Sequence, residues 1–242
     1  MVNQITLTGM VLSATPVNEY DKRLVILTKE RGKITAFAKG ARKPHSPYIA
    51  GSRPFSFGAF TLYEGRTAYN LIGLNIRNYF EEIATDINVV YYGFYFLELA
   101  DYFSSENVEA TEILNLLYIS LKALMKGAIS SELIRRIFEL RMFTINGEYP
   151  EVFSCTKCGK KDELKYFSVK NDGALCESCG ESEESISLNT STFYTMQYII
   201  SSRLEKLYSF SVSEEVLNEL KMVLGRFIKK HTDKEFKSLE LL

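Results

Sequence analysis

Histidine is scarce in this chain: His45 and His231 are the only two among 242 residues, and they stand far apart. That excludes the clustered-histidine ligand sets of most catalytic zinc sites. No GxxxxGK[ST] phosphate loop occurs, so a P-loop nucleotide hydrolase is excluded as well. No apolar run approaches the roughly 18 to 20 residues that cross a bilayer. Nor does the amino terminus carry a basic segment leading into an apolar core and a small-residue cleavage site. The expectation is a cytosolic chain with no membrane partner. Cysteine is also rare, with four residues that fall within 25 positions of one another. Structural disulfides are disfavoured in reducing compartments, so this crowding points to metal. What remains is ordinary globular material, 46% hydrophobic and 24% charged, enough for one or two domains.

The formal net charge of -1 conceals an asymmetry. Residues 1–80 hold 11 Lys and Arg against 4 Asp and Glu, whereas the rest hold 18 against 26. An amino-terminal part at +7 beside a remainder at -8 implies that only the former meets a polyanion.

That basic part is rich in β-branched and aromatic residues in short runs, which predicts strands near residues 3–14, 23–28, 33–38, 55–63 and 69–77. Lys29-Glu30-Arg31-Gly32 suits a hairpin turn between the second and third. Five strands in about 75 residues fit a small closed barrel of the oligonucleotide-binding type. The connection from Lys39 to Pro54, with three prolines and two glycines, reads as exposed and mobile. From Phe80 onward apolar residues recur every three or four positions, marking a helical domain over residues 80–242 after a barrel domain over 1–79. Further helices are expected at about 108–126, 131–145, 190–208 and 213–230, with Ser130, Thr190 and Ser213 as caps. The fold class is therefore α+β multidomain, a five-stranded barrel followed by helices with an inserted four-cysteine module near residues 150–185.

Cys155-Thr156-Lys157-Cys158-Gly159 and Cys176-Glu177-Ser178-Cys179-Gly180 form two CxxC turns 17 residues apart. This is paired-knuckle spacing: two intervening residues let both sulfurs of a turn reach one tetrahedral ion, and each following glycine permits a tight backbone. Four cysteines close the coordination shell, so the expectation is one structural Zn2+ held by Cys155, Cys158, Cys176 and Cys179, with no catalytic role. Lys157, Lys160 and Lys161 bring positive charge toward the dianionic centre.

For the polyanion, the sharpest candidates are Lys39, Arg42 and Lys43, where Lys39-Gly40-Ala41-Arg42-Lys43 leaves a strand for the long connection. Lys22, Arg23, Arg53 and Arg66 stand near other expected loops. A cationic groove with aromatic platforms is how single strands are held, and binding of that kind weakens steeply with salt. Phe37, Phe55, Phe57 and Phe60 read as barrel core, and Tyr48 and Tyr63 as stacking candidates.

Several separated segments together resemble the bacterial RecO recombination-mediator family, over nearly the whole chain. They are Gly9-Met10-Val11-Leu12, Leu27-Thr28 with Gly32, Ala38-Lys39-Gly40-Ala41-Arg42, Leu62-Tyr63-Glu64-Gly65 and Tyr95-Phe96-Leu97-Glu98-Leu99. Arg136-Ile137-Phe138-Glu139-Leu140, Gly147-Glu148-Tyr149-Pro150, both CxxC turns and Phe236-Lys237-Ser238 complete the set. Ala174, in Gly173-Ala174-Leu175, departs from a second glycine. The resemblance implies a non-enzymatic DNA repair and recombination protein, cytoplasmic and associated with the nucleoid. Such a protein binds single- and double-stranded DNA, anneals complementary strands and associates with RecR. It also helps load RecA onto DNA coated by single-strand-binding protein, whose acidic, apolar carboxy-terminal tail it recognises. By motif position Lys39 and Arg42 inherit DNA contact. For the tail, Arg135, Arg136 and Arg141 among Leu133, Ile137 and Leu140 are candidates, expected on an exposed helix face, although Glu132 with Arg136 and Arg135 with Glu139 are also favourable helix pairs. The competing classes are a nuclease, for which only scattered carboxylates speak, and a zinc-ribbon adaptor in transcription or translation whose barrel contacts RNA.

Overall fold

The alternating pattern of the first 80 residues becomes five strands: β1 (Gln4–Val17), β2 (Asp21–Thr28), β3 (Gly32–Ala38), β4 (Phe57–Glu64) and β5 (Tyr69–Asn78). The computed structural model describes residues 4–181 and 184–241; Asn3, which opens the first expected strand, Ser182 and Glu183 within the expected zinc module, and Leu242 lie outside the described residues. The strands close into a barrel in the order β1-β2-β3-β5-β4. All pairings are antiparallel except β3 with β5, which run parallel at Ala36↔Tyr69 and Phe37↔Asn70. Register sets the core, because Leu24 faces Ala36 and Ile26 faces Ile34, and these four pack with Leu7, Val11, Phe60 and Leu62. Each such aliphatic side chain, fully buried, contributes on the order of 1.5–3 kcal/mol. β1 and β2 run past their expected ends because Thr15↔Arg23, Pro16↔Lys22 and Val17↔Asp21 still pair there.

The connection after β3 is not the mobile loop expected. It is a string of hydrogen-bonded turns, with Lys43 N–H donating to Gly40 O (3.0 Å), Ser46 to Lys43 (3.1 Å) and Ser52 to Tyr48 (3.0 Å). Ala41 is buried in the barrel core, and the Tyr48 hydroxyl donates to Ile72 O at 3.0 Å.

After a 3-10 turn at Glu81–Thr85, helix α1 (Ile87–Phe103) begins later than the apolar spacing suggested, because Asp86 caps it by accepting from Asn88 N–H at 2.8 Å. Helix α2 (Thr111–Lys126) follows. Both pack with the barrel in one unit, Met1–Met125 plus Phe236–Leu242. Ala110 N–H donates to Lys29 O (3.0 Å), Lys33 pairs with Asp101 (3.2 Å), and the rings of Phe57 and Phe80 both meet Tyr118. The terminal segment joins the same unit: Phe236 lies edge-on to Tyr95 and Tyr102, and the Ser238 hydroxyl donates to Glu98 at 2.6 Å.

The second unit is Lys126–Glu235. It contains α3 (Ser131–Ile145), a three-stranded sheet ordered β7-β6-β8, a short α4 (Glu177–Gly180), α5 (Thr190–Ser201) and α6 (Glu214–His231). The sheet strands are β6 (Leu164–Ser168), β7 (Gly173–Cys176) and β8 (Ile186–Ser187). Ser130 and Ser213 cap α3 and α6 as expected, but Asn189 rather than Thr190 caps α5. Helix α5 stops at Ser201, short of residue 208, and Leu204–Lys206 is a separate 3-10 turn. Helix α3 packs against both α5 and α6.

Candidate metal centre and nucleic-acid interface

The two CxxC turns are brought together by the β6–β7 hairpin. Cys155 and Cys158 lie on the turn that precedes it, Cys176 ends β7, and Cys179 lies in α4. Thr156 N–H donates to Ala174 O (2.9 Å), and Ala174 N–H to Glu151 O (2.7 Å), so the first turn is stitched to β7 beside the second. All four sulfurs lie within 4.8 Å of one another, with Cys158 and Cys176 at 3.7 Å. Four thiolates about 2.3 Å from one ion would sit about 3.8 Å apart at tetrahedral corners, so the cluster fits a closed sulfur shell. The two glycines serve different ends. Gly159 takes φ +75°, in the left-handed region, whereas a Cβ on Gly180 would lie 2.2 Å from the Tyr166 ring.

The thiols differ in acidity. Burial pushes Cys155 up, but backbone N–H groups of Cys176, Cys158 and Lys157 outweigh it and bring the thiol down to about 6. The Ser178 hydroxyl, then the Cys179 backbone, lowers Cys176. Hydrogen bonds with Cys176 and Cys158 push Cys179 up to about 12. Four thiolates cannot coexist so closely without a cation between them, and the donor set suits a borderline-soft ion. Of the lysines expected to offset the charge, Lys160 is paired with Glu163. Around the sulfurs Cys155, Leu175 and Cys176 pack with Leu164, Tyr166 and Cys179, a small apolar cluster. The β6–β7 turn is fastened to α6 as well. Asp172 accepts from Lys230 and pairs with His231, both at 2.7 Å, and although burial raises its carboxyl, those two partners hold it below the ordinary range.

The cationic residues fall into two places. Lys39, Arg42 and Lys43 are exposed at the barrel end formed by the β1–β2 turn and the long connection. Arg42 is fixed there, its backbone N–H donating to Tyr20 O (2.8 Å) and its guanidinium to Glu19 O (3.2 Å). Lys43 sits over the Tyr20 ring at 5.6 Å. Lys22 is less free than expected: its ammonium donates to Ser52 O (3.1 Å) and Oγ (2.9 Å), tying β2 to the connection. Burial, then the positive charges of Arg53 and Arg42, lowers its pKa. Lys22, Arg42 and Arg53 thus feel one another's field. Arg23 is exposed on β2, opposite Phe37 of β3. Arg66 stands apart in the β4–β5 turn, beside a polar recess shared with Lys33, Glu64, Glu106 and Asn107. Of the phenylalanines read as barrel core, Phe60 lies there, whereas Phe55 is buried against Phe94 of α1, Phe57 meets Tyr118 of α2 and Phe37 is half-buried; Tyr48 is engaged with Ile72, and Tyr63 is exposed. Tyr20, 41% exposed amid the cations, was not singled out by the sequence, although its place two residues before Lys22 was the available signal.

Arg135, Arg136 and Arg141 do not form the exposed face expected of them. Glu139 is fully buried and accepts from Arg135 (2.9 Å) and Arg136 (2.8 Å), while Arg136 also pairs with Glu132. Arg141 donates to Ile199 O (3.3 Å) and to Ile200 O, in the last turn of α5. The reason is that α3 is covered by α5 and α6, so its charges must satisfy one another or cap a neighbour.

Two family models match consecutive parts of the chain: Recombination protein O N terminal over residues 1–80, and Recombination protein O C terminal over residues 84–240. The chain belongs to the RecO family. The DNA repair protein RecO of Acetivibrio thermocellus is 32% identical over 243 residues, covering 100% of this chain and 97% of its own length. The DNA repair protein RecO of Alkaliphilus metalliredigens is 34% identical over 236 residues, 96% of each chain, and that of Clostridium perfringens 31% over 235 residues, 97% of this chain and 95% of its own length. Similarity to these RecO proteins therefore spans the barrel, the helices and the cysteine module alike. Among the described residues, no helix is long and apolar enough to cross a membrane.

Proposed function

We propose that this chain is a DNA repair and recombination mediator without catalytic activity. It binds single- and double-stranded DNA at the cationic end of its barrel, anneals complementary strands, and works with RecR to load RecA on DNA coated by single-strand-binding protein. It acts in the cytoplasm, at the nucleoid. The observation that carries this reading is the clustering of Lys22, Lys39, Arg42, Lys43 and Arg53 around one end of a barrel that belongs to the RecO family. An anchored guanidinium beside several ammonium groups tracks phosphates without reading bases. The four cysteines hold one structural zinc ion, whose work is to fold the module around residues 150–185.

Arg135, Arg136 and Arg141 are engaged inside the second unit, which counts against a direct grip on an acidic tail through that helix. The deciding experiment is annealing of complementary strands coated with single-strand-binding protein, comparing the intact chain with Lys39, Arg42 and Lys43 all changed to alanine. Several-fold slower annealing supports the barrel-end reading, and equal rates overturn it. Competition between DNA and RNA strands tests the substrate: preference for RNA would favour an adaptor in transcription or translation.

A further inference from the structure

Beside the cationic end of the barrel is an apolar cavity of about 310 Å3, within the same unit, at the lower end of small-ligand pockets. Its walls include Phe55, Tyr79, Phe80 and Phe94, and its polar rim Arg53 and Glu81. Two features set these walls apart. Phe55 and Phe80 both hold positive φ, +71° and +51°, a region bulky aromatic residues rarely enter. Each is locked there by a backbone N–H, Phe55 to Val11 O at 3.0 Å and Phe80 to the Asn78 side chain at 2.8 Å. Strain held in this way concentrates at ligand sites. In addition, Phe94 and Tyr79 are 39% and 38% exposed, and Phe94 packs at 4.9 Å, tilted by 59°, against Phe55, so aromatic surface faces solvent at the mouth.

We propose that this cavity receives one unstacked base of the single strand whose phosphates lie on the barrel-end cations. The proposal rests on the DNA-binding reading above. Continuity supports it, because Arg53 belongs both to the cavity rim and to the group around Lys22, so a strand held by the phosphate-binding cations passes its bases across the mouth. Charge selects the occupant. Glu81 on the rim repels the carboxylates of an acidic peptide, whereas a neutral base offers it ring or exocyclic N–H donors and presents π-faces to Phe94 and Tyr79. With few other polar groups in the lining, the site tolerates any base.

The test uses the full chain and oligonucleotides carrying 2-aminopurine, whose fluorescence is quenched by stacking, alongside strands with one abasic position. Phe94→Leu and Tyr79→Leu keep apolar bulk at part-exposed positions and remove the rings. The expected result is quenching by the intact chain, lost in both variants. Affinity for single strands should weaken about five- to tenfold, with the salt dependence unchanged because no phosphate contact is removed. An abasic strand should lose affinity for the intact chain and not for the variants. Unchanged affinity and quenching in both variants would overturn the proposal. So would binding of a short apolar peptide ending in acidic residues to the intact chain but not to the variants, without competition from the strand, which would make the cavity a peptide site. Both results leave the parent reading standing provided the triple change at Lys39, Arg42 and Lys43 still weakens binding; if the intact chain binds no strand, the parent reading fails first.

Discussion

Glu139 shows how one side chain can organise a helix. Its carboxylate is fully buried and accepts from two guanidinium groups on the same helix, so deleting it would take one carboxylate partner from each of Arg135 and Arg136, leaving Arg136 with Glu132. Breaking a buried pair from one side costs about 3–5 kcal/mol. Glu139→Ala should therefore lower stability by about 3 kcal/mol in urea unfolding, whereas Arg66→Ala, on an exposed turn, should stay within about 0.5 kcal/mol. A loss under about 1 kcal/mol for the first would mean that water or other groups replace the carboxylate. The four-residue spacing of these charges was legible in the sequence, but the covering of the helix was not. Leu133, Ile137 and Leu140 mark one apolar stripe, yet Ile134, Phe138, Met142 and Phe143 are buried on other sides. A helix apolar nearly all round is a central one, and its arginines then belong to the interior.

If the four cysteines hold the proposed zinc, the cysteine module should depend on it, because the apolar cluster around the sulfurs is small. Chelation of the metal, or Cys155→Ser, should abolish hydrogen-exchange protection through β6 and β7 while α1 and α2 keep theirs, and should release one equivalent of zinc per chain to a colorimetric indicator. Retained protection in the metal-free chain would show that the hairpin folds without the ion. A second fastening has its own pH signature. The Asp172 carboxyl is held below its ordinary 3.8, so its pairs with Lys230 and His231 lend stability that is complete above that value and disappears as the pH falls through the lower native one. Both partners are well exposed to water, so the contribution is about 1 kcal/mol or less. Asp172→Asn should thus destabilise the chain slightly at pH 7, by an amount that shrinks as the pH falls below 3.8, as read by thermal unfolding across that range. At this scale the sequence was most informative, since paired CxxC spacing foretold the convergence of the four sulfurs. The union of Asp172 with the end of α6, about 59 positions on, left no local trace.

For the whole molecule the question is which charges would meet the proposed DNA, given +7 in residues 1–80 and -8 in the rest. The imbalance was readable from a count. What the count could not show is that Lys22 is anchored on Ser52, that Arg66 stands away from the other cations, or that Phe236 and Ser238 return to α1, because these contacts span 30 to 140 positions. Their arrangement bears on salt dependence. Each phosphate neutralised on a single strand contributes about 0.7 to the slope of log affinity against log salt. If Lys39, Arg42 and Lys43 each neutralise one phosphate, changing all three to alanine should flatten that slope by about 2 and weaken binding most at low salt. Arg66→Ala should leave the slope nearly intact if the strand stays at the barrel end. Cys155→Ser, compared under the same conditions, should cost stability well before it alters the slope, because the cysteine module carries none of these cations. A slope that falls as much for Arg66 as for the triple change would spread the footprint around the barrel and displace the strand from the end where Arg42 is fixed.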